Sequence, residues 1–128
     1  MSKPKTYKTT ESHFKIFKAE CEKWVDIFSL RSWCVDYRHE DHDTVPETRA
    51  WCFTNLRGRV ATLGLSVNWG DNKTEVVQIK KSAFHEACEL LLSRLQAEAE
   101  VDTCPTQKSD IEEHKHAIIR RLEHAVFK

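Results

Sequence analysis

Ala83-Phe84-His85-Glu86-Ala87-Cys88-Glu89-Leu90-Leu91-Leu92 lies in the middle of the longest helical pattern in the chain. Val77, Phe84, Cys88, Leu91, Leu92 and Leu95 recur at helical spacing, flanked by Ala87 and Leu90, and predict one helix from about Thr74 to about Glu100. At roughly 100° per residue, His85 falls at one edge of this apolar stripe and Glu89 somewhat further out. Side chains four apart leave a helix on the same face one turn apart, so His85 and Glu89 can grip one cation, with Glu86 beside them. The rest of the chain must cover the stripe and complete the ligand set.

Upstream, Phe14, Phe17, Cys21, Trp24, Val25 and Phe28 recur at steps of three and four and predict a one-faced helix from about Thr10 to Ser29, with His13 at its start as a surface residue. Trp33 to His39 alternates strictly, with Trp33, Val35 and Tyr37 on one side, as a half-buried strand does. After an acidic loop, Glu40 to Glu47, a second strand runs from about Arg49 to Asn55. The turn at Arg57-Gly58 folds the chain back into a third, Arg59 to about Val67. Asn68 to Asn72 reads as a turn. Downstream, Asp102 to Lys108 reads as a linker, and Ser109-Asp110-Ile111-Glu112 as a capping box opening a last helix. Its buried stripe would be Ile111, Ile118, Ile119, Leu122, Ala125 and Val126. The expected fold is α+β: an N-terminal helix on a small antiparallel sheet of about three strands with a hairpin, then the motif helix and a C-terminal helix.

At 128 residues one domain is expected, over residues 10–128, preceded by a basic flexible tail at 1–9. Twenty basic and twenty acidic residues balance, so no global field draws the protein to nucleic acid or anionic lipid. The short basic groups, Lys3, Lys5 and Lys8, Arg57 and Arg59, Lys80 and Lys81, and Arg120 and Arg121, read as solvated surface. The polar start carries no secretory signal pattern and no apolar run reaches a membrane span, so a cytoplasmic protein without a membrane partner is expected. Five cysteines without a Cys-x-x-Cys pair read as free thiols.

His85-Glu86-x-x-Glu89 differs by one residue from His-Glu-x-x-His, in which two helical histidines hold zinc and the glutamate activates water. A third ligand is required, and the last helix offers Glu112, Glu113, His114 and His116. The capping box accounts for Glu112, and Glu113 lies nearly opposite the stripe. Either histidine would be brought toward the motif helix by antiparallel packing. His39-Glu40-Asp41-His42-Asp43 is a second acidic and imidazole cluster, without the spacing of an established site. Cys88 sits on the apolar stripe and reads as core.

The sheet closed by a hairpin, Phe84 to Leu92, and Glu113-x-x-His116-Ala117-Ile118-Ile119-Arg120-Arg121-Leu122-Glu123 together resemble a group of small phage- and prophage-encoded zincin-like metallopeptidases. Trp51, Gly58-Arg59-Val60-Ala61 and Asn68-Trp69 resemble that group too, so the likeness covers roughly residues 10 to 127. Members of the group often carry glutamate at the second histidine position. More distantly the arrangement is similar to a minimal SprT-like zincin, in which an edge strand aligns a peptide above the motif helix. The resemblance implies zinc held by His85, Glu89 and His116, Glu86 as general base, and a protein or peptide as substrate or partner in the host cytoplasm. A carboxylate in place of an imidazole cancels part of the zinc charge and implies a weaker Lewis acid.

Overall fold

The computed structural model describes residues 6–41 and 48–127. In chain order they form strand β1 (Tyr7–Lys8), helix α1 (Glu11–Ile27), strands β2 (Cys34–Glu40), β3 (Ala50–Asn55), β4 (Val60–Ser66) and β5 (Asn68–Gly70), and helices α2 (Val76–Glu100) and α3 (Pro105–Val126). The architecture is α+β. α1 begins where two residues cap each other: Thr10 Oγ1 accepts from the His13 amide at 3.3 Å, and His13 Nδ1 accepts from the Thr10 amide at 2.9 Å. His13 is therefore part of a cap.

The three longer strands form one sheet in the order β2-β4-β3. It is mixed, where an antiparallel sheet was expected. β3 and β4 pair antiparallel across the hairpin, but β2 runs parallel to β4, with Tyr37 opposite Leu63. Alternation assigns side chains to faces and is blind to strand direction. Composition decides the order instead. Ala61, Leu63, Gly64, Leu65 and Ser66 are all buried, which suits β4 to the centre, whereas the exposed charges Asp36, Arg38 and Glu40 suit β2 to an edge. At Gly64 an added Cβ would land inside the indole of Trp51, its neighbour across the ladder.

Two boundaries also differ from expectation. The segment read as a turn after β4 contains β5, which pairs antiparallel with β1, so the end of the expected tail belongs to a two-stranded sheet. Beside it, the buried Thr9 hydroxyl donates to the Ser66 carbonyl at 2.7 Å and lies 2.8 Å from His39 Nε2. Residues 1–5 of the tail and 42–47 of the acidic loop lie outside the described residues.

α1 and α2 cover one face of the sheet. Phe17 and Cys21 of α1, Ile79 and Ala83 of α2, and Leu63 and Leu65 of β4 close around Trp69, whose indole Nε1 donates to the Arg49 carbonyl at 3.2 Å. A second cluster joins α3: Phe84 and Cys88 meet Ile119, and the Phe84 ring contacts Trp24 edge-on at 4.8 Å and Phe127 at 5.6 Å. α3 starts at Pro105, four residues before the expected capping box. Proline at the first helical position is preset for the helix, and Gln107 Oε1 accepts from the Cys104 amide at 3.1 Å. Ser109 and Glu112 are thus interior. The stripe expected to be buried on α3 shrinks to Ile119, since Ile118, Leu122 and Val126 are exposed, as are Val77, Leu91 and Leu95 of the α2 stripe. Lys115 is buried in their place.

Candidate metal centre

α2 and α3 bring His85, Glu89 and His116 to one point, with one ligand atom from each lying within 4.8 Å of the others. Glu89 is the hub. Its Oε1 lies 3.3 Å from His85 Nε2 and 3.1 Å from His116 Nε2, and the two imidazole rings stack at 5.8 Å. Ligands about 2.1 Å from a tetrahedral zinc are separated by about 3.4 Å, so these gaps match two edges of such a site. His114, the other histidine offered by α3, is exposed and lines an apolar hollow with Leu95 and Ile118. In the acidic loop, His39 stacks on Phe14 at 5.2 Å and is engaged by Thr9, while Glu40 and Asp41 are exposed. Among the described residues only His85, Glu89 and His116 group as potential ligands.

Three side chains that the sequence did not single out complete the site. Glu123, one turn before the end of α3, places Oε1 2.7 Å from His85 Nδ1. That contact holds the Nδ1 proton and leaves Nε2 turned toward Glu89, the arrangement by which carboxylates orient metal-binding histidines. Lys115 donates to Glu89 Oε2 at 2.6 Å, to Gln96 Oε1 at 2.8 Å and to Glu112 Oε1 at 3.0 Å. All three ammonium hydrogens are thereby satisfied. Gln96 in turn donates to Glu100 at 3.1 Å. Lys115 engages Oε2 of Glu89 and leaves Oε1 to the histidines. A lysine between Glu112 and His116 on a charged helix carries no sequence signal for burial.

Each group departs from its ordinary protonation for a stated reason. Glu86 is buried, and loss of water pushes its carboxyl from 4.5 up to about 8. Glu89 is also partly buried, which opposes ionisation. The hydrogen bonds from His85 and Lys115 win, and its carboxyl falls to about 2. Burial likewise works against the charged form of His85, yet Glu89, Glu86 and Glu123 together raise it to about 9. The neighbourhood holds three carboxylates, on Glu89, Glu112 and Glu123, and the carboxyl of Glu86, against one permanent cation, Lys115. Such an excess of acid suits a divalent cation, provided His85 gives up its second proton. The donor set, spacing and orienting carboxylate fit zinc. Cys88 behind the site is held unreactive, because burial pushes its thiol up to about 12.

A cleft of about 340 Å³ adjoins the centre on the His85 side. His85, Glu86 and Glu123 line it together with Thr48, Arg49 and Ala50 at the start of the edge strand β3. Glu89 and His116 are not among the residues that line it. Comparison of the chain with protein-family models, curated proteins and solved structures gives no match, so the chemical reading rests on this geometry.

Proposed function

We propose that this chain is a metal-dependent hydrolase of the metallopeptidase type, zincin-like in architecture, with zinc held by His85, Glu89 and His116 and a protein or peptide as substrate. The convergence of these three donors from two helices, beside a cleft that also contains Glu86 and the start of the outermost described strand, β3, carries the reading. It agrees with the resemblance to the phage-encoded group. Zinc bound there would supply a Lewis acid that polarises a carbonyl and acidifies water. Glu123 keeps the His85 imidazole in the ligating tautomer, and Lys115 keeps Glu89 ionised with Oε1 turned inward. The outer edge of β3, which pairs with no other described strand, can take up an extended peptide by main-chain hydrogen bonds, presenting a carbonyl to the cleft. Glu86 is the general base. Its carboxyl, pushed up to about 8 by burial, would be drawn toward the ionised form by the charge of a bound dication and would then take a proton from water.

A second reading, a non-catalytic zincin-like module that binds a host or phage protein, is favoured by Lys115. Its ammonium already neutralises Glu89, so the cluster is satisfied without an ion. Metal content by mass spectrometry on untagged protein separates the two. Wild type is expected to carry near-stoichiometric zinc, and His85→Ala to lose it. Glu86→Gln should keep the metal and lose turnover by a factor of about 10²–10⁴. No zinc in wild type after incubation with the metal would remove the enzyme reading.

A further inference from the structure

A second groove, of about 590 Å³, shares no residue with the cleft of the metal centre. The connection from α1 to β2, the β3–β4 turn and the C-terminal half of α2 form its walls. Its character is mixed. Leu56, Leu91 and Val101 line it and are 38%, 38% and 62% exposed, an apolar surface that water alone covers among the described residues. Arg57, Arg59 and Arg94 line it as well, and Glu98 is the one acid among the lining residues. None of the three guanidinium groups is engaged in a hydrogen bond or ion pair with another described residue. Two of them sit on a braced turn. Arg59 takes φ 51°, a left-handed conformation strained for a non-glycine residue, and its carbonyl accepts from the Cys34 amide at 2.8 Å. In a chain of zero formal charge, this is a local concentration of unpaired positive charge around an aliphatic floor.

We propose that this groove docks an acidic amphipathic segment of a partner protein, its aliphatic side chains against Leu56, Leu91 and Val101 and its carboxylates on Arg57, Arg59 and Arg94. Charge complementarity selects the sign of the ligand, and the arginine fork selects carboxylates by paired hydrogen bonds. The floor selects a peptide over a nucleic acid. Bases are held on aromatic platforms, and Trp33 is the one aromatic ring lining the groove. The site is independent of the metal centre and stands whether or not zinc binds there.

The test pans a random peptide library on the full chain, then measures the affinity of the selected peptides for wild type, Arg94→Ala, and the double variant Arg57→Glu, Arg94→Glu. Enriched peptides should alternate Asp or Glu with Leu, Ile or Phe. Arg94→Ala should weaken them about tenfold and the charge reversals by more, with circular dichroism unchanged. Arg94 is an exposed helical position, so its truncation leaves the fold intact even if the double variant does not. Enriched peptides without that composition, or with equal affinity for Arg94→Ala, would overturn the proposal. So would tight binding of a thymidine oligonucleotide that Arg94→Ala abolishes, since the groove would then be a nucleic-acid site.

Discussion

One helix, α2, makes two unlike interfaces. Toward α1 and the sheet it presents Ile79, Ala83, Ala87 and Leu90, all buried against apolar partners. Toward α3 it presents His85, Glu89 and Gln96 beside Phe84 and Cys88, which pack on Ile119, the one fully buried apolar side chain of α3. The first interface is held by removal of apolar surface from water, which involves no titrating group and no metal ligand. The second combines a small apolar cluster with charges that a proton or a cation can rearrange. α3 is thus the element whose docking a ligand can change, and the α1–sheet side is the scaffold against which that change is read.

The widest separation comes from breaking each interface at its centre. Trp69→Ala empties the largest fully buried side chain and should cost about 3–5 kcal/mol in denaturant unfolding, equally with and without zinc. Lys115→Met leaves the Glu89 carboxylate buried without its permanent counter-ion. The loss expected in metal-free protein is about 3 kcal/mol. Added zinc should restore much of it, because a dication at Glu89 replaces the ammonium. If zinc rescues neither variant, or both alike, the two interfaces do not differ in the way proposed.

The scaffold half was largely legible in the sequence, because apolar periodicity reports directly on burial. The stripe Phe14, Phe17, Cys21 and Trp24 places α1, and Ala61, Leu63 and Leu65 place the inner face of β4. Strand direction was not legible, since side-chain alternation is the same in parallel and antiparallel pairs. At the polar interface the patterns misled. Ser109-x-x-Glu112 satisfies a capping box, but Pro105 and Gln107 start the helix a turn earlier and release Glu112 to bind Lys115. His85 and Glu89 could be named because they stand four apart on one helix face beside an apolar stripe, and His116 because it is one of two histidines on the last helix and the one the resemblance implies. Lys115 and Glu123 could not, because on a helix rich in charge a lysine or glutamate is indistinguishable from solvated surface until its partners are placed.

A smaller effect tests whether the polar interface is organised around a metal. Glu123→Ala removes the carboxylate that holds His85 Nδ1. Loss of such an orienting partner lowers metal affinity about 10–100-fold. Titration of zinc against a chromophoric chelator should show that drop, beyond the modest loss of metal-free stability that follows from removing the His85 partner. Unchanged affinity would mean that Glu123 serves only to pair with His85.

The gentlest perturbation is pH, and it should move the metal-free and zinc-loaded proteins in opposite directions. His85 is raised from the ordinary 6.5 to about 9, so its contribution to metal-free stability is complete below pH 6.5 and disappears as pH rises through 9. Glu86, raised from 4.5 to about 8, acts with the same sign: its contribution is present below pH 4.5 and lost as pH rises through 8. Metal-free protein should therefore melt at lower temperature at pH 9 than at pH 6.5. Zinc must displace the proton on His85 Nε2, so its affinity should climb by up to about tenfold per pH unit across the same window and level off above about 9. Melting curves with and without zinc, taken between pH 6.5 and 9.5, should spread apart as pH rises. Parallel curves would show that no proton is exchanged for metal, leaving the His85-Glu89-His116 cluster as an ion-pair clasp between α2 and α3.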